Sequence, residues 1–568
     1  MKTTPHLRKL ACLGLLPLFI ISLQTAHAGS ATWNLNPTSG DWNTATNWTP
    51  ATVPNGASDI ATFGGSNLTA LFDSANTEVA SMIFGTGGSA YTISPNIGTT
   101  LTISGDGVVN DSGVNQTFTT AADSSFNHSY INFTNSSSAG SMVTYLDKAA
   151  PSTADSFGGV TSFNDTSNAG SATFVTEGGM VRNAQVIGGS VAFTSSASAA
   201  NATFITGGGT VPHANGGEIA FLENTTAANA TFTNNPGLGG NAQGGFVEFL
   251  GNSTAGDAII TNNGATGSGA LGGATTFTQP SRAGNATLIA NGGSQGGGGG
   301  QILFGFGTFG DTARIELFGN GFLDLSNLGP TNPINIGSLE GNGIVQMGEG
   351  ALTVGTRNQS TVFAGTIVDS SFGGGALVKT GHGSLTLSGA NTYAGRTNIM
   401  KGTLQVGNHQ GSATGTGAVT VRGGSLAGSG TIAGRVTVGG ANSGSVASSL
   451  APGRIPAQPQ TLTIQSGLTF QFSATYSCDL NSASVQADQV VANGVTIAGD
   501  AQIALADSAA ATLQPGTTFV ILDNTSANPI SGTFANLSDS AILTLGSNNF
   551  QANYEGGDGN DLTLTVVP

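Results

Sequence analysis

Charge is scarce in this chain. Only 8% of its 568 residues are Asp, Glu, Lys or Arg, against about 25% in a typical soluble domain. Lys and Arg number 14 while Asp and Glu number 30, so the formal net charge is −16, which argues against a nucleic-acid partner. Proline is also rare, with 18 residues, whereas 38% of the chain is hydrophobic. A long disordered linker is therefore excluded.

Cysteine and histidine are nearly absent. Cys478 is the only cysteine after the first 28 residues, so no disulfide can form within the mature chain, which depends on backbone hydrogen bonds and packing. No histidine lies near Cys478 in the sequence, which favours an inert apolar filler. The histidines at 128, 213, 382 and 409 lack metal-ligand spacing. No metal and no cofactor is predicted.

Residues 1–28 have the pattern of a secretory signal peptide. Three basic residues precede an apolar stretch, and Ala26-His27-Ala28 is a small-x-small cleavage site. A transmembrane anchor is the alternative, but the apolar stretch is too short to span a bilayer comfortably. Cleavage after Ala28 removes three basic residues and no acidic one, which changes the net charge from −16 to −19. No later segment approaches about 18 consecutive apolar residues, so no spanning helix is predicted.

Glycine is abundant, with 89 residues. It does not recur at every third position, which excludes collagen. Its density excludes a solenoid of α-helices, in which each interior glycine would cost about 1 kcal/mol. What remains is a polar β-protein rich in Gly, Ser, Thr and Asn.

A repeat of about 28 residues runs through the middle of the sequence. Each copy has a phenylalanine, a glycine pair that begins five residues before it, an alanine nine residues after it and an apolar residue eleven residues after it. A weaker copy begins at Phe133 without the glycine pair. The phenylalanines of the six copies are spaced by 30, 28, 28, 28 and 27 residues and are Phe163, Phe193, Phe221, Phe249, Phe277 and Phe304.

This repeat predicts one coil of a β-solenoid per copy. Short runs such as Ile219-Ala220-Phe221 alternate with the period of two that a strand requires. The phenylalanine and the apolar residue eleven positions later are expected to point inward from two strands of one coil. Phenylalanines of successive coils should then stack about 4.8 Å apart, because one unit alone could not bury them. The glycine pairs suit corners where φ is positive or backbones approach closely.

Polar residues in register indicate the turns of the coil. Asn201, Asn229 and Asn285 share one repeat position with Asp257 and Ser171. Such side chains bond their own backbone in turns, and that is the role we expect. A ladder that binds a metal or takes part in catalysis is the alternative.

A second pattern occupies residues 374–407. In order, it contains Lys379-Thr380-Gly381, Leu385-Thr386-Leu387-Ser388-Gly389, Asn391-Thr392-Tyr393, Gly395, Thr397 and Gly402-Thr403-Leu404. These motifs resemble the autotransporter-associated β-strand repeat. Their alternation predicts that Leu385 and Leu387 share one face, and that Leu404 and Val406 return to it after a turn.

Other stretches extend the resemblance to about half of the mature chain. Residues 336–343 resemble the segment that leads into the repeat, 450–453 continue after it, and 554–561 resemble the end of autotransporter passengers. The resemblance implies export in a Gram-negative bacterium. Such passengers are followed by an outer-membrane translocator barrel, and none follows here before Pro568. A separate outer-membrane secretion component is therefore expected.

Two features have both a binding and a structural interpretation. The tryptophans at 33, 42 and 48 could stack on sugar rings, but we expect them to close the open end of the solenoid. Residues 556–564 carry part of a calcium-binding repeat pattern, with Asp558 and Asp561 as its ligands. Since that unit occurs only once, a tight acidic turn is predicted instead.

Catalysis on polysaccharides requires two or three carboxyl groups, or a carboxylate and a basic residue, close together on one face. The acids of the repeat region are Glu177, Glu218, Glu223, Glu248 and Asp257, and they share no register that would stack them. The sequence therefore predicts no catalytic, cofactor-binding or metal-binding residue, and the protein is not expected to be an enzyme. A secreted carbohydrate-active β-helix enzyme, either a polysaccharide lyase or a hydrolase, is the alternative.

The predicted fold is all-β: a single elongated right-handed parallel β-helix (β-solenoid) with N-terminal and C-terminal caps. The expected segments are a signal peptide over 1–28, the N-terminal cap and first coils over 29–130, solenoid repeats of about 28 residues over 131–330, the autotransporter-associated β-strand repeat region over 331–440, and C-terminal coils and cap over 441–568.

The predicted function is that of an exported, passenger-like structural or adhesive element that acts by multivalent surface contact. Its expected partners are a surface ligand, either protein or polysaccharide, and the separate secretion component. No nucleic acid and no integral membrane segment in the mature chain are expected. The expected location is extracellular or at the cell surface in association with the outer membrane, with the periplasm as the alternative.

Overall fold

Alternating apolar and polar residues form short strands along almost the whole chain. The computed structural model describes residues 29–568 apart from 126, 152–157, 183–187, 279, 372 and 454–457. The predicted signal peptide therefore lies outside the described residues. The one helix in the described part is a 3-10 turn at Ala45–Asn47, and strands of successive coils pair in parallel. The fold is an all-β parallel β-helix, as the sequence predicts.

The first sheet has 15 strands and runs from the N-terminal cap to residue 369. Its first two strands are antiparallel and the others are parallel. In spatial order the strands are Trp48–Thr49, Ala31–Trp33, Gly56–Phe63, Thr77–Phe84, Thr100–Asn110, Tyr130–Phe133, Val160–Phe163, Ser190–Phe193, Glu218–Phe221, Phe246–Phe249, Ala274–Phe277, Gln301–Phe304, Phe322–Asp324, Ile344–Met347 and Thr366–Asp369.

The second sheet contains another strand of most coils and spans the longest stretch of the chain, from Ala70 to Asp507. Near its C-terminal end, the strands Ala474–Asn481 and Gln486–Ala487 pair antiparallel. In chain order the strands are Ala70–Asp73, Thr92–Pro95, Gln116–Thr120, Ser141–Asp147, Ser171–Thr176, Thr203–Thr206, Thr231–Asn234, Ile259–Asn262, Thr287–Ala290, Arg314–Leu317, Ser338–Gly341, Thr361–Phe363, Ser384–Leu387, Thr403–Val406, Gly424–Gly428, Ser448–Pro452, Ala474–Asn481, Gln486–Ala487 and Gln502–Asp507.

Two further sheets complete the C-terminal half. The third sheet is parallel and consists of Ile334–Ile336, Leu352–Val354, Leu377–Lys379, Thr397–Ile399, Val419–Val421, Val436–Val438, Leu468–Phe470 and Val495–Ile497. The C-terminal sheet consists of Thr431–Ile432, Thr461–Ile464, Gln489–Ala492, Thr518–Asn524, Asp561–Val567, Asn548–Gly556 and Ile542–Leu545. Its last four strands pair antiparallel and form the predicted C-terminal cap.

Both inward columns predicted from the repeat are present. The ring of Phe221 stacks on Phe193 at 4.6 Å and on Phe249 at 4.9 Å between centroids. In the second column, Phe204 and Phe232 stack at 4.7 Å. All five side chains are fully buried. The predicted coil assignment and its spacing are therefore confirmed.

The weaker copy at Phe133 joins the same column, 4.8 Å from Phe163. An extra residue shifts the register of the following strand between Ser141 and Thr144. Tyr145, twelve residues after Phe133, consequently takes the place of the apolar partner and is fully buried. A β-bulge thus accounts for the irregular spacing in this copy.

The glycine pairs lie where neighbouring backbones are closest. A Cβ on Gly216 would lie 2.1 Å from the carbonyl oxygen of Gly244 in the next coil. A Cβ on Gly217 would lie 2.4 Å from the hydroxyl oxygen of Thr176 inside the helix. Neither glycine has a positive φ. Close approach, rather than a special backbone conformation, is therefore the reason for the pair.

Hydroxyl groups close the turn between the two columns. The Oγ of Ser198 accepts the N–H of Ala200 at 3.1 Å, and the Oγ1 of Thr226 accepts the N–H of Ala228 at 3.0 Å. Ala200 and Ala228 have φ values of 50° and 48°. The hydroxyl thus stabilises a left-handed residue two positions later. This column was not predicted, although a polar residue stands five positions after most of the repeat phenylalanines.

The asparagines that were predicted to fill this role bond between coils instead. The Nδ2 of Asn229 donates to the Oδ1 of Asn201 at 3.3 Å, and the Nδ2 of Asn285 donates to the Oδ1 of Asp257 at 3.1 Å. The prediction that these residues bond their own backbone is wrong, because hydroxyls three positions earlier already satisfy the turn. The asparagines form an exposed ladder along the stack.

Candidate functional site

The N-terminal tryptophans lie inside the first coils. Trp33, Trp42 and Trp48 are 2%, 0% and 1% exposed. Trp48 packs edge-on against the other two rings at 5.1 and 4.9 Å, and its Nε1 donates to the carbonyl of Trp42 at 2.7 Å. Covered ring faces cannot stack on a sugar. The cap interpretation is therefore confirmed and the sugar-binding one is wrong.

The acidic C-terminal motif is a hairpin turn. Gly556 and Asp561 face each other where two antiparallel strands meet. Asp561 is 6% exposed, and its Oδ1 accepts the backbone N–H of Asn524 at 2.8 Å. The predicted tight turn is confirmed. Over the described residues, no group of three or more His, Cys, Asp or Glu side chains is placed to hold a metal ion.

Two acids of the repeat region do come together. The strand register sets Glu218 opposite Phe246 and Glu248 opposite Ala220, so both carboxyl groups leave the outer face of the first sheet on adjacent coils. A hydrogen bond joins them. The acids share no register, as the sequence predicts, but that prediction did not anticipate a diagonal contact. The two residues are one repeat plus two positions apart, and such diagonal neighbours touch across adjacent strands.

Burial sets the protonation of this carboxyl pair. Glu218 is only 8% exposed. Desolvation, aided by the negative charge of Glu248, raises the pKa of Glu218 well above its ordinary value, and burial also raises the pKa of Glu248. Two adjacent carboxyl groups resist ionising together, because each negative charge opposes the other. The two catalytic carboxyl groups of a glycosidase lie about 5 Å or more apart, so that the reacting sugar carbon, or that carbon and a water, fits between them. Two carboxyl groups in direct contact leave no such space.

Another acid lies in a polar column inside the helix. The Oδ1 of Asp147 accepts hydrogen bonds from the hydroxyls of Thr120 at 2.5 Å and Thr161 at 2.8 Å. Burial raises the pKa of this fully enclosed carboxyl to about 7. Further along the column, the Nδ2 of Asn234 donates to the Oδ1 of Asn262 at 2.7 Å. This column is closed to a substrate, so its role is structural.

The second sheet carries an uncharged outer face over six coils, which we name the threonine face. Its strands lie in unbroken register from Thr144 to Ile289. The next strand ends it with Arg314 and Glu316, which form an ion pair at 3.1 Å. The threonine face consists of Thr144, Leu146, Thr173, Val175, Thr203, Ile205, Thr231, Thr233, Ile259, Thr261, Thr287 and Ile289. It presents hydroxyl and methyl groups in two columns.

The repeat segment predicted at 374–407 folds as expected. Leu385 pairs with Leu404 and Leu387 pairs with Val406 across parallel strands. All four side chains are at most 1% exposed. The prediction that these residues share one apolar face is confirmed.

A buried lysine near the start of this segment bonds backbone carbonyl groups. Lys379 is 1% exposed, and its Nζ donates to the backbone carbonyls of Thr380, Gly381 and Lys401. Desolvation lowers the pKa of the amine to about 8. The ammonium thus satisfies carbonyl groups of two successive coils, which explains a Lys-Thr-Gly motif without any catalytic role.

Coils, columns and caps define the class of the protein as a parallel β-helix built from repeats. Residues 377–406 match the family model described as the passenger-associated-transport-repeat. The chain thus contains an autotransporter passenger-like repeat, as the resemblance predicts. No curated protein matches it in sequence. No helix in the described residues is long and apolar enough to cross a membrane.

Proposed function

We propose that the protein is an exported, non-catalytic surface element that binds by multivalent contact along its stacked coils. The observation that carries this proposal is the threonine face, which repeats the same surface chemistry in register over six coils. Many weak contacts at fixed spacing give avidity without any deep pocket. The passenger-associated repeat supports display outside the cell.

The rigid interior supports the same proposal. Stacked rings and the buried polar column hold each coil against its neighbours, so the outer ladders keep a fixed spacing. Asp147, Asp561 and Lys379 all have structural partners. The carboxyl pair of Glu218 and Glu248 is in direct contact and leaves no room for a substrate, so it does not favour the alternative of a carbohydrate-active enzyme.

Export is the second part of the proposal. The basic and apolar pattern of residues 1–28 supports cleavage after Ala28, and a separate outer-membrane component would complete the route. We expect fractionation to find the mature chain outside the cytoplasm with Gly29 at its N-terminus. Extraction by high salt or by mild detergent then distinguishes an electrostatic attachment from a hydrophobic one. Recovery in the cytosol with Met1 intact would contradict export.

Enzyme assays test the non-catalytic part. The purified protein should release neither reducing ends nor unsaturated sugars from a panel of acidic and neutral polysaccharides. The matched variants are Glu248→Gln and, as a control on the exposed turn, Glu223→Gln. Product release that the first variant abolishes and the second retains would establish a hydrolase or lyase and overturn the proposal.

A further inference from the structure

We propose that the threonine face binds the ordered water lattice of an ice surface. The inference rests on the proposed function, since it names the ligand of one displayed face. A regular surface requires a regular binder, and this face is regular in two directions. The rings of Phe174 and Phe204 lie beneath it, on strands of this face, at a centroid distance of 4.9 Å, and those of Phe204 and Phe232 lie at 4.7 Å.

The second direction runs along each strand. Outward residues such as Thr231 and Thr233 are two positions apart, which corresponds to about 6.6–6.8 Å along a β-strand. Both repeats are close to the spacings between water oxygens in surface planes of ice. The β-bulge before Thr144 and the charged strand at 314–317 mark the two ends of the array. No irregularity of register falls between them.

The side chains of this face are stiff. All except Leu146 are β-branched, so χ1 has few accessible values and the hydroxyl and methyl positions are set before any ligand arrives. Little conformational entropy is then lost on binding. Methyl groups restrict the orientation of first-shell water, while hydroxyl groups anchor it by hydrogen bonds. An in-register array of the two groups on stiff side chains favours an ordered water layer.

The hydroxyl groups are also available. In the described part of the chain, no protein group bonds the hydroxyls of Thr173, Thr203, Thr231, Thr233, Thr261 or Thr287. Some outward hydroxyls elsewhere are used within the protein. Ser162 donates to Asn132 at 2.9 Å on the first sheet, and Thr386 donates to Gln405 at 2.9 Å further along the second sheet. Six hydroxyls of the threonine face thus remain free for water, while that of Thr144 bonds the side chain of Asn115.

The chemistry of the face selects an uncharged ligand without sugar rings. A chain with 30 acidic residues has none on these twelve positions, which removes the charges that hold disordered hydration. Stacking on a sugar face needs an exposed aromatic ring, whereas the phenylalanines of these strands, Phe174, Phe204 and Phe232, are fully buried. Ice offers a neutral, periodic array of the kind that this surface presents.

The test uses the purified full-length secreted protein and ice itself. The readouts are the gap between the melting and freezing temperatures, the shape of single ice crystals and the inhibition of recrystallisation. Thr231→Lys places a long charged side chain at the centre of the face. The matched control is Thr437→Lys, which changes a half-exposed outward threonine between Thr420 and Thr469 on the third sheet, where each of these strands offers a single outward residue. Equal melting temperatures of the two variants exclude misfolding.

We expect the wild type to shape ice into facets and to open a freezing gap. Thr231→Lys should lose both effects, and Thr437→Lys should keep them. Absence of ice shaping by the wild type, or equal loss in both variants, would overturn the inference. So would retention of the wild type on crystalline chitin or cellulose that Thr231→Lys loses, because it would assign the face to polysaccharide. Each outcome leaves the export and enzyme assays independent, so a failure here is distinguishable from a failure of the proposed function.

Discussion

Asp147 is a carboxyl group buried without an opposite charge. Two threonine hydroxyls bond one of its oxygens, and burial raises its pKa from 3.8 to about 7. The folded state therefore binds this proton more tightly than the unfolded state does. The stabilisation is complete below pH 3.8 and is lost as the pH rises through about 7.

Asp147→Asn should remove this pH dependence. The amide stays neutral, so the loss of stability between pH 4 and 8, on the order of a few kcal/mol for a shift of this size, should shrink. Melting temperatures from pH 4 to 9 measure the effect. Some slope will remain, because burial also raises the pKa of Glu218. Identical slopes in wild type and variant would contradict the assignment.

Phe221 tests the packing of the first column. It is fully buried and stacks on rings at 4.6 and 4.9 Å. Phe221→Ala should cost about 3–5 kcal/mol, and Phe221→Asp should cost more because it buries an unpaired charge. Phe306→Ala is the matched control, since that ring is 53% exposed. Equal loss of thermal stability in both alanine variants would show that the column is not well packed.

At the scale of the coil, the corner depends on an absent side chain. Gly216→Ala would bring a Cβ to 2.1 Å from the carbonyl oxygen of Gly244, so the two coils would have to separate. We expect a cost of roughly 1–3 kcal/mol, as for other overpacked sites. Gly267→Ala is the control, because nothing lies within 4 Å of its Cβ. The melting temperatures of the two variants test this prediction, and equal values would contradict the close-approach explanation.

The C-terminal hairpin gives a metal prediction. The carboxylate of Asp561 already accepts the N–H of Asn524 at 2.8 Å, so we expect chelator treatment to leave the melting temperature unchanged. A rise of many degrees with millimolar calcium would restore Asp558 and Asp561 as ligands. Asp558→Asn would then have to abolish that rise.

Period analysis of the sequence could predict the coil because identical positions stack. Phenylalanines one repeat apart fall in one column, and their inward direction follows from strand alternation. The same method could not find the carboxyl pair, since Glu218 and Glu248 are thirty residues apart and occupy different repeat positions. The repeat pattern also could not predict which side chain stabilises the turn. Ser198 accepts the N–H of Ala200 in a conformation in which Ala200 has a positive φ, and the sequence does not reveal that φ.

At the scale of the whole molecule, each coil contacts only its neighbours, so stability is a chain of local terms. The in-register columns stabilise each coil against the next one. A cap is needed at each end, where the apolar cross-section of the last coil would otherwise contact water. At the N-terminus the tryptophan cluster supplies that cap. Trp48 is central, since it packs against both Trp33 and Trp42 and is 1% exposed.

Trp48→Ala should therefore open the first coils and leave distant coils intact. Native-state hydrogen exchange should lose protection over 31–63, where the cluster packs on Phe63 at 5.7 Å, and keep it over 377–406. This gradient follows from nearest-neighbour coupling, because a defect at one end raises the free energy only of coils that can fray from that end. Leu35→Ala is the control, since that side chain is 59% exposed in the same region. Uniform loss of protection along the whole chain would contradict local coupling and indicate one cooperative unit.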